Sequence, residues 1–259
     1  MPFHQPDSVR YYSFESLDET GISQAVFTRQ GGVSAPPWES LNLGGTVGDQ
    51  PAHVAENRQR AFLSLGRALS SLYDVWQVHS AVVVRADAPR PPEKPHIQAD
   101  AIITDRPGVT LFMRFADCVP ILLVDPVRRA VGIVHAGWLG TVRQVVGATV
   151  TAMQAEFGCQ PADLLAGIGP SIAAHHYQVG ADVVQQVKAV FGSEAKALLP
   201  EKDGCVKFDL WAANRLVLES NGVRNIEMAG ICTACDLENW YSHRGEHGKT
   251  GRFGALIGI

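Results

Sequence analysis

The chain has 259 residues, 46% hydrophobic and 19% charged, with a net charge of −4. That balance belongs to a soluble globular protein. It gives no basic footprint for nucleic acid or an anionic membrane, and it allows one large α/β domain or two small ones. The opening residues "MPFHQPDSVRYY" hold no basic region followed by an apolar core, and apolar runs such as 119–124 are too short to span a bilayer. Without an export signal, the odd number of five cysteines points to a reducing cytoplasm and away from structural disulfides.

In chain order, "SQAVFTRQGG" reads as a strand entering a glycine turn. "GDQPAHVAENRQRAFLSLG" predicts a helix, with Asp49 as its cap, Pro51 in its first turn and Gly66 at its end. Its apolar stripe is Val54, Ala55, Ala61, Phe62 and Leu65, and Arg58 falls inside that stripe. An arginine on a buried face needs a partner, either a carboxylate or a bound phosphate. "YDVWQVHSAVVVRA" alternates and is rich in valine, which predicts a strand carrying His79. The four prolines of "ADAPRPPEKPHIQAD" forbid regular structure, so residues 86–100 are expected to be a surface loop within one domain. "QADAIITD" and "VTLFMRFAD" are further strands. "FADCVPILLVDPVRRAVGIVHAGW" is then a hairpin, followed by a helix from about Leu139 to Phe157. "ADLLAGIGPSI" runs from a strand into a Gly-Pro turn. Helices near 180–191 and 209–220, the strand "NIEMAGICTACD" and a last strand "FGALIGI" complete the chain. Hairpins among mixed strands argue against a purely doubly wound sheet and for mixed sheets packed together under helices.

The hairpin brings chemistry together. The first residue of one strand lies beside the last of the next, so Cys118 and His135 are expected at its open end, folded there by the turn "DPVRR". Cysteine beside histidine supports a nucleophile activated by an imidazole, two ligands of a metal, or a packed cysteine with a satisfied histidine. His79 adds a third polar ring in apolar company. Three protein ligands with an open fourth position form the pattern of a catalytic zinc, and the set also suits copper.

Other motifs carry less. "CTAC" has the C-x-x-C spacing at Cys232 and Cys235, but there is no second cysteine pair for a zinc ribbon and no following helix for a thioredoxin-like motif. It reads as packed cysteines. "HH" at 175–176 follows the Gly-Pro turn and reads as exposed. "GEHGKTG" is not a Walker motif, since its first glycine is misplaced and no helix follows. Its glycine-rich backbone with Arg244, Lys249 and Arg252 reads either as an anion holder or as a solvated basic turn.

The ordered set "FTRQGGVS", "SLNLGGTVGDQ", "QVHS", "ADAIIT", "ADCVPILLVDP", "VHAGW", "GIGPSI", "FDLWAANR" and "SHRGEHGKTGR" resembles the bacterial YfiH-like laccase-domain family, also named polyphenol oxidase and purine nucleoside phosphorylase. The resemblance runs from about residue 22 to the C-terminus. It implies an α+β fold: a single-domain, four-layer αββα sandwich related to the catalytic domain of cytotoxic necrotizing toxins. It also implies a metal held by His79, Cys118 and His135, with Zn2+ first and Cu2+ as the alternative. Where the family usually has an arginine after "HAGW", this chain has Leu139.

The activity the resemblance implies is phosphorolysis of adenosine, inosine and S-methyl-5′-thioadenosine, with adenosine deamination besides. Arg58, Asn42 and Arg244 are the expected phosphate holders. The expected partners are a purine nucleoside and phosphate, with the protein a monomer or homodimer. Nine histidines without a single H-x-H argue against a multicopper centre, so any phenol oxidation would come from copper in the one site. A cysteine hydrolase built on Cys118 and His135 and a non-catalytic metal store are the competing readings.

Overall fold

The computed structural model describes residues 2–259. Two six-stranded mixed sheets carry the architecture. The first runs in the order Phe3–His4, Tyr11–Tyr12, Ser23–Phe27, Phe253–Gly258, Thr110–Phe115 and Leu72–Tyr73, antiparallel except for its last pair. The second runs Asn225–Met228, Leu165–Ile168, Val119–Asp125, Ala130–Ala136, Ala101–Thr104 and Val83–Arg85, with parallel pairs at its two edges.

Side chains on successive strand residues point to opposite faces, and here both faces of the second sheet are covered. Leu122, Val124, Val131 and Ile133 meet Leu111, Met113, Phe115 and Ile257 of the first sheet in a core between the sheets. Ile121, Leu123, Ala130 and Val134 point the other way, against Val146, Val150 and Met153 of the helix Val145–Phe157 and against the helix Leu210–Ser220. On the far side, Phe27, Phe112 and Leu256 pack under Ala61 and Phe62 of the helix Pro51–Leu63. The layers are therefore helix, sheet, sheet, helices, a mixed α/β sandwich. Burial on both faces is why "VPILLVD" is continuously apolar up to its last residue instead of alternating. Among the described residues, no helix is long and apolar enough to cross a membrane.

The central hairpin forms as the sequence predicts. Val119 pairs with Ala136 and Pro120 with His135, while Asp125 closes the turn by accepting from the amides of Val127 and Arg128 at 2.9 and 2.8 Å. Three local expectations are corrected. The helix expected from Leu139 to Phe157 is two helices, Trp138–Val142 and Val145–Phe157, broken at Gln144 by a left-handed backbone (φ 62°). Asp49 does not cap the helix Pro51–Leu63. The N-cap is Gln50, and the Asp49 carboxylate instead accepts from Ser34 Oγ at 2.6 Å and Asn42 Nδ2 at 2.8 Å. On that helix Ala55 is exposed, and Asn57 takes its expected place on the buried face.

Candidate active site

His79 is not on a strand. It sits in the loop between Leu72–Tyr73 and Val83–Arg85 with a left-handed backbone (φ 58°). One carboxylate fixes both this loop and the hairpin end. Asp100 Oδ2 accepts from Ser80 N at 2.6 Å, Ser80 Oγ at 2.8 Å and Val78 N at 3.2 Å, while Asp100 Oδ1 accepts from His135 Nδ1 at 2.9 Å. Holding the residues on either side of His79 aims that ring. Binding Nδ1 of His135 leaves its Nε2 to face the site, the usual arrangement behind a metal-bound histidine.

The ligand atoms of His79, Cys118 and His135 all lie within 4.8 Å of one another. Cys118 Sγ is 3.8 Å from His79 Nε2, and the two imidazole rings are 4.9 Å apart at 60°. A Cβ on Gly137 would stand 2.8 Å from Cys118 Sγ and 3.0 Å from His79 Cδ2, so the turn into the helix Trp138–Val142 approaches the sulfur as only glycine can. A soft thiolate with two imidazoles, one of them oriented by a buried carboxylate, is a donor set that fits zinc or copper.

The electrostatics favour a deprotonated thiol. Burial alone would raise the Cys118 pKa, but His135 beside it and hydrogen bonds from both imidazoles bring it down to about 6. Burial alone would lower His135, and this too is outweighed, by Cys118 and then Asp100, which raise it to about 9. The bond from His135 overcomes the burial of Asp100 and holds its carboxyl near 2. The backbone before the sulfur is also constrained. Asp117 is left-handed (φ 81°), and its carboxylate accepts from Thr233 Oγ1 at 2.8 Å, Ser242 Oγ at 2.7 Å and the amide of Arg244 at 2.7 Å.

These ligands border a cavity of about 670 Å³. Trp76, Trp138 and Tyr177 supply aromatic wall, and Arg58, Arg114, Arg244 and Arg252 supply positive charge. Arg58 has no carboxylate within 4.0 Å among the described residues. Its Nε and Nη2 donate to the Leu43 carbonyl at 3.1 and 3.0 Å, and its guanidinium carbon lies 5.9 Å from the centre of the Phe112 ring. Burial, then the nearby Arg114, lowers its pKa to about 10. Among the described residues Asp74 acts on Arg58 only at longer range, and the guanidinium borders the cavity, where an anion could reach it. Arg244 donates from Nη1 to the Gln178 carbonyl at 3.1 Å and lies over the Tyr177 ring.

Asn42 is elsewhere. It is fully buried under the cavity and does not line it. Its amide donates to Asp49 Oδ2 and the Gly44 carbonyl and accepts from the amides of Gly44 and Arg252. It shapes the 42–45 loop that presents Gly44 and Gly45 to the cavity. Leu139 also stays out of the cavity, packed partly buried against the core under the helices. One turn on, Arg143 Nη1 donates to the His79 carbonyl at 2.9 Å, a further restraint on that loop.

Sequence reasoning missed Arg114. It lies in a strand read as plain core, and its guanidinium donates to Asp74 Oδ2 at 2.8 Å and the Val75 carbonyl at 2.6 Å. It also missed a second group. Cys232 and Cys235, read as packed cysteines, and His175 and His176, read as exposed, come together with all four ligand atoms within 4.8 Å of one another.

Comparison with known proteins places the chain in a family. Residues 23–259 match the family described as multi-copper polyphenol oxidoreductase laccase. A purine nucleoside phosphorylase of Deinococcus radiodurans is 40% identical over 238 residues, covering 92% of this chain and 89% of the relative. The purine nucleoside phosphorylase YlmD of Bacillus subtilis is 36% identical over 90% of this chain and 86% of its own. Among solved structures, the hypothetical protein YfiH of Bacillus licheniformis superposes with a TM-score of 0.92 at 32% identity, covering 100% of this chain and 99% of that one. YlmD from Geobacillus stearothermophilus gives 0.91 at 33% identity, over 99% and 98%. Sequence and fold together thus make this chain a member of the laccase-domain family to which the YfiH and YlmD proteins belong.

Proposed function

We propose that the chain, 1–259, acts as one cytoplasmic, metal-dependent purine nucleoside phosphorylase domain, cleaving adenosine, inosine and S-methyl-5′-thioadenosine. The observation that carries this reading is an arginine-lined cavity in a chain of net charge −4, with a Cys–His–His donor set at its edge. Relatives named purine nucleoside phosphorylase support the reaction class.

Phosphorolysis breaks the bond between C1′ and the purine nitrogen and forms a bond from C1′ to a phosphate oxygen, with an oxocarbenium-like sugar between. The leaving purine carries away the bonding electron pair and takes up a proton. The phosphate must be held as an anion and aligned to one face of the sugar. Arg58 suits this task because, among the described residues, its Nη1 has no hydrogen-bond partner while its Nε and Nη2 are anchored on Leu43. Arg244 supplies a second guanidinium, steadied by Tyr177 and Gln178. Trp76, Trp138 and Tyr177 offer flat apolar surface for a purine. A zinc ion bound by His79, Cys118 and His135 would supply Lewis-acid stabilisation of negative charge on oxygen, and the same polarisation would serve adenosine deamination as a second activity. The chain's own contribution there is to lower the Cys118 thiol through His135 and His79, and to hold His135 by its Nδ1 on Asp100.

The nucleophilic reading has one observation in its favour, the thiolate–imidazolium tendency of Cys118 and His135. It leaves His79, aimed at the same sulfur from 3.8 Å, without a task. Incubating the protein with adenosine, with and without phosphate, separates the two. The proposal predicts adenine and ribose 1-phosphate only when phosphate is present, with loss of activity on chelation. Chelator-insensitive turnover with covalent labelling of Cys118 would overturn it.

A further inference from the structure

We infer that His175, His176, Cys232 and Cys235 form a second metal site, a closed four-ligand zinc clamp separate from the catalytic cavity. None of the four borders that cavity, although Tyr177, next to His176, does. The inference does not depend on the nucleoside reaction.

The topology makes the juxtaposition. Leu165–Ile168 and Asn225–Met228 are parallel neighbours, so their continuations leave the sheet side by side. Ser171 bridges Cys232 in parallel, with the Ser171 amide donating to the Ile231 carbonyl and the Thr233 amide to the Ser171 carbonyl, each at 3.1 Å. One continuation then turns through the single 3-10 turn Ala174–His176. The other turns at Cys232–Cys235, where the Cys235 amide donates to the Cys232 carbonyl at 3.1 Å. Two histidines on one turn therefore face two cysteines on the other.

The donors are already close to coordination distances. His175 Nε2 lies 3.0 Å from Cys235 Sγ, and the two imidazole rings are 4.6 Å apart at 72°. Cys232 Sγ accepts from the Ala173 amide at 3.3 Å, which fixes the direction of that side chain. Tetrahedral zinc, with Zn–S about 2.3 Å and Zn–N about 2.0 Å, sets its ligand atoms about 3.3–3.8 Å apart. The four atoms, within 4.8 Å of one another, reach that by side-chain rotation on backbone already in place. Two thiolates and two imidazoles fill all four positions, so this metal has no open position and its role is structural, unlike the three-ligand set. Thiolate ligands favour zinc over magnesium or calcium.

The clamp would hold one wall of the cavity. The histidine turn leads directly into Tyr177 and Gln178, the supports of Arg244. Thr233, between the cysteines, donates to Asp117, the residue before Cys118. Tying the two turns together restrains both.

The test is metal counting on protein purified under reducing conditions, by plasma mass spectrometry. Wild type is expected to hold two zinc equivalents, the double variant His79→Ala/Cys118→Ala one, and His175→Ala/Cys235→Ser one. A cobalt titration of His79→Ala/Cys118→Ala, which leaves the second cluster intact, is expected to give thiolate-to-cobalt charge transfer with tetrahedral visible bands. In the zinc-loaded protein the exposed Cys235 should resist iodoacetamide until a chelator is added. One zinc equivalent in wild type, undiminished in His175→Ala/Cys235→Ser, would overturn the clamp. So would a Cys232–Cys235 disulfide in place of metal, or a cobalt spectrum without thiolate charge transfer. The results that would overturn the clamp leave the three-ligand site and the nucleoside reaction to be read by their own assays.

Discussion

Replacing Asp100 by asparagine keeps the shape of the most connected residue behind the site and removes its charge. Asp100 is fully buried and accepts four hydrogen bonds, three on Oδ2 from the His79 loop and one on Oδ1 from His135. In Asp100→Asn the side-chain amide oxygen would stay with the three loop donors, which turns its NH2 toward His135 Nδ1. That nitrogen must then accept, the ring proton moves to Nε2, and the nitrogen aimed at the metal is blocked. Loss of such a supporting carboxylate typically lowers metal affinity about 10- to 100-fold, equivalent to about 1.4–2.8 kcal/mol. The charge-assisted bond to His135 adds about 1.5–3 kcal/mol of folding stability that the variant lacks. Competition with a chromophoric chelator measures the first quantity and urea unfolding of metal-free protein the second. Wild-type metal affinity in Asp100→Asn would refute the assignment of Asp100 as the residue that orients His135.

The other perturbations separate steric, anion and thiolate effects. Gly137→Ala pushes a methyl to within 3.0 Å of both Cys118 Sγ and His79 Cδ2, and is expected to cost about 1–3 kcal/mol, read as weakened metal binding and a lowered Tm. Arg58→Ala removes one charged hydrogen-bond donor from the phosphate, a loss of about 1.5–3 kcal/mol, so the phosphate KM should rise at least about tenfold with the nucleoside KM little changed. In metal-free protein Cys118 titrates near 6 instead of its ordinary 9.0. Because the thiolate is the reactive form, its alkylation rate should climb through pH 6 and be level by pH 8, where an ordinary thiol is still rising. Metal should abolish that reaction.

Much of this site is legible in the sequence because local rules fix it. Two apolar runs flanking "DPVRR" can only fold back on each other, and Cys118 and His135 meet for that reason. Arg58 stands out as a charge in an apolar helical stripe, and the structure anchors it on the Leu43 carbonyl at the cavity wall. What stays hidden depends on long-range contacts or on backbone sign. His79 follows an alternating pattern, yet a left-handed residue held by Asp100, 20 residues from Ser80, breaks the strand. Gln144 breaks a helix whose stripe continues unbroken through it. Asn42 has the look of a loop ligand, but its amide is consumed by Asp49, Gly44 and Arg252. The second cluster is least legible of all. "HH" and "CTAC" are uninformative apart, and His175 meets Cys235 across 60 residues only because two strands are parallel neighbours.

The central claim is that the metal bound by His79, Cys118 and His135 drives phosphate-dependent nucleoside cleavage. Its most direct test is adenine release from adenosine, followed against phosphate in wild type and in His79→Ala/Cys118→Ala. The account predicts saturable, phosphate-dependent release in wild type and none above background in the double variant. Undiminished release by the double variant would contradict it.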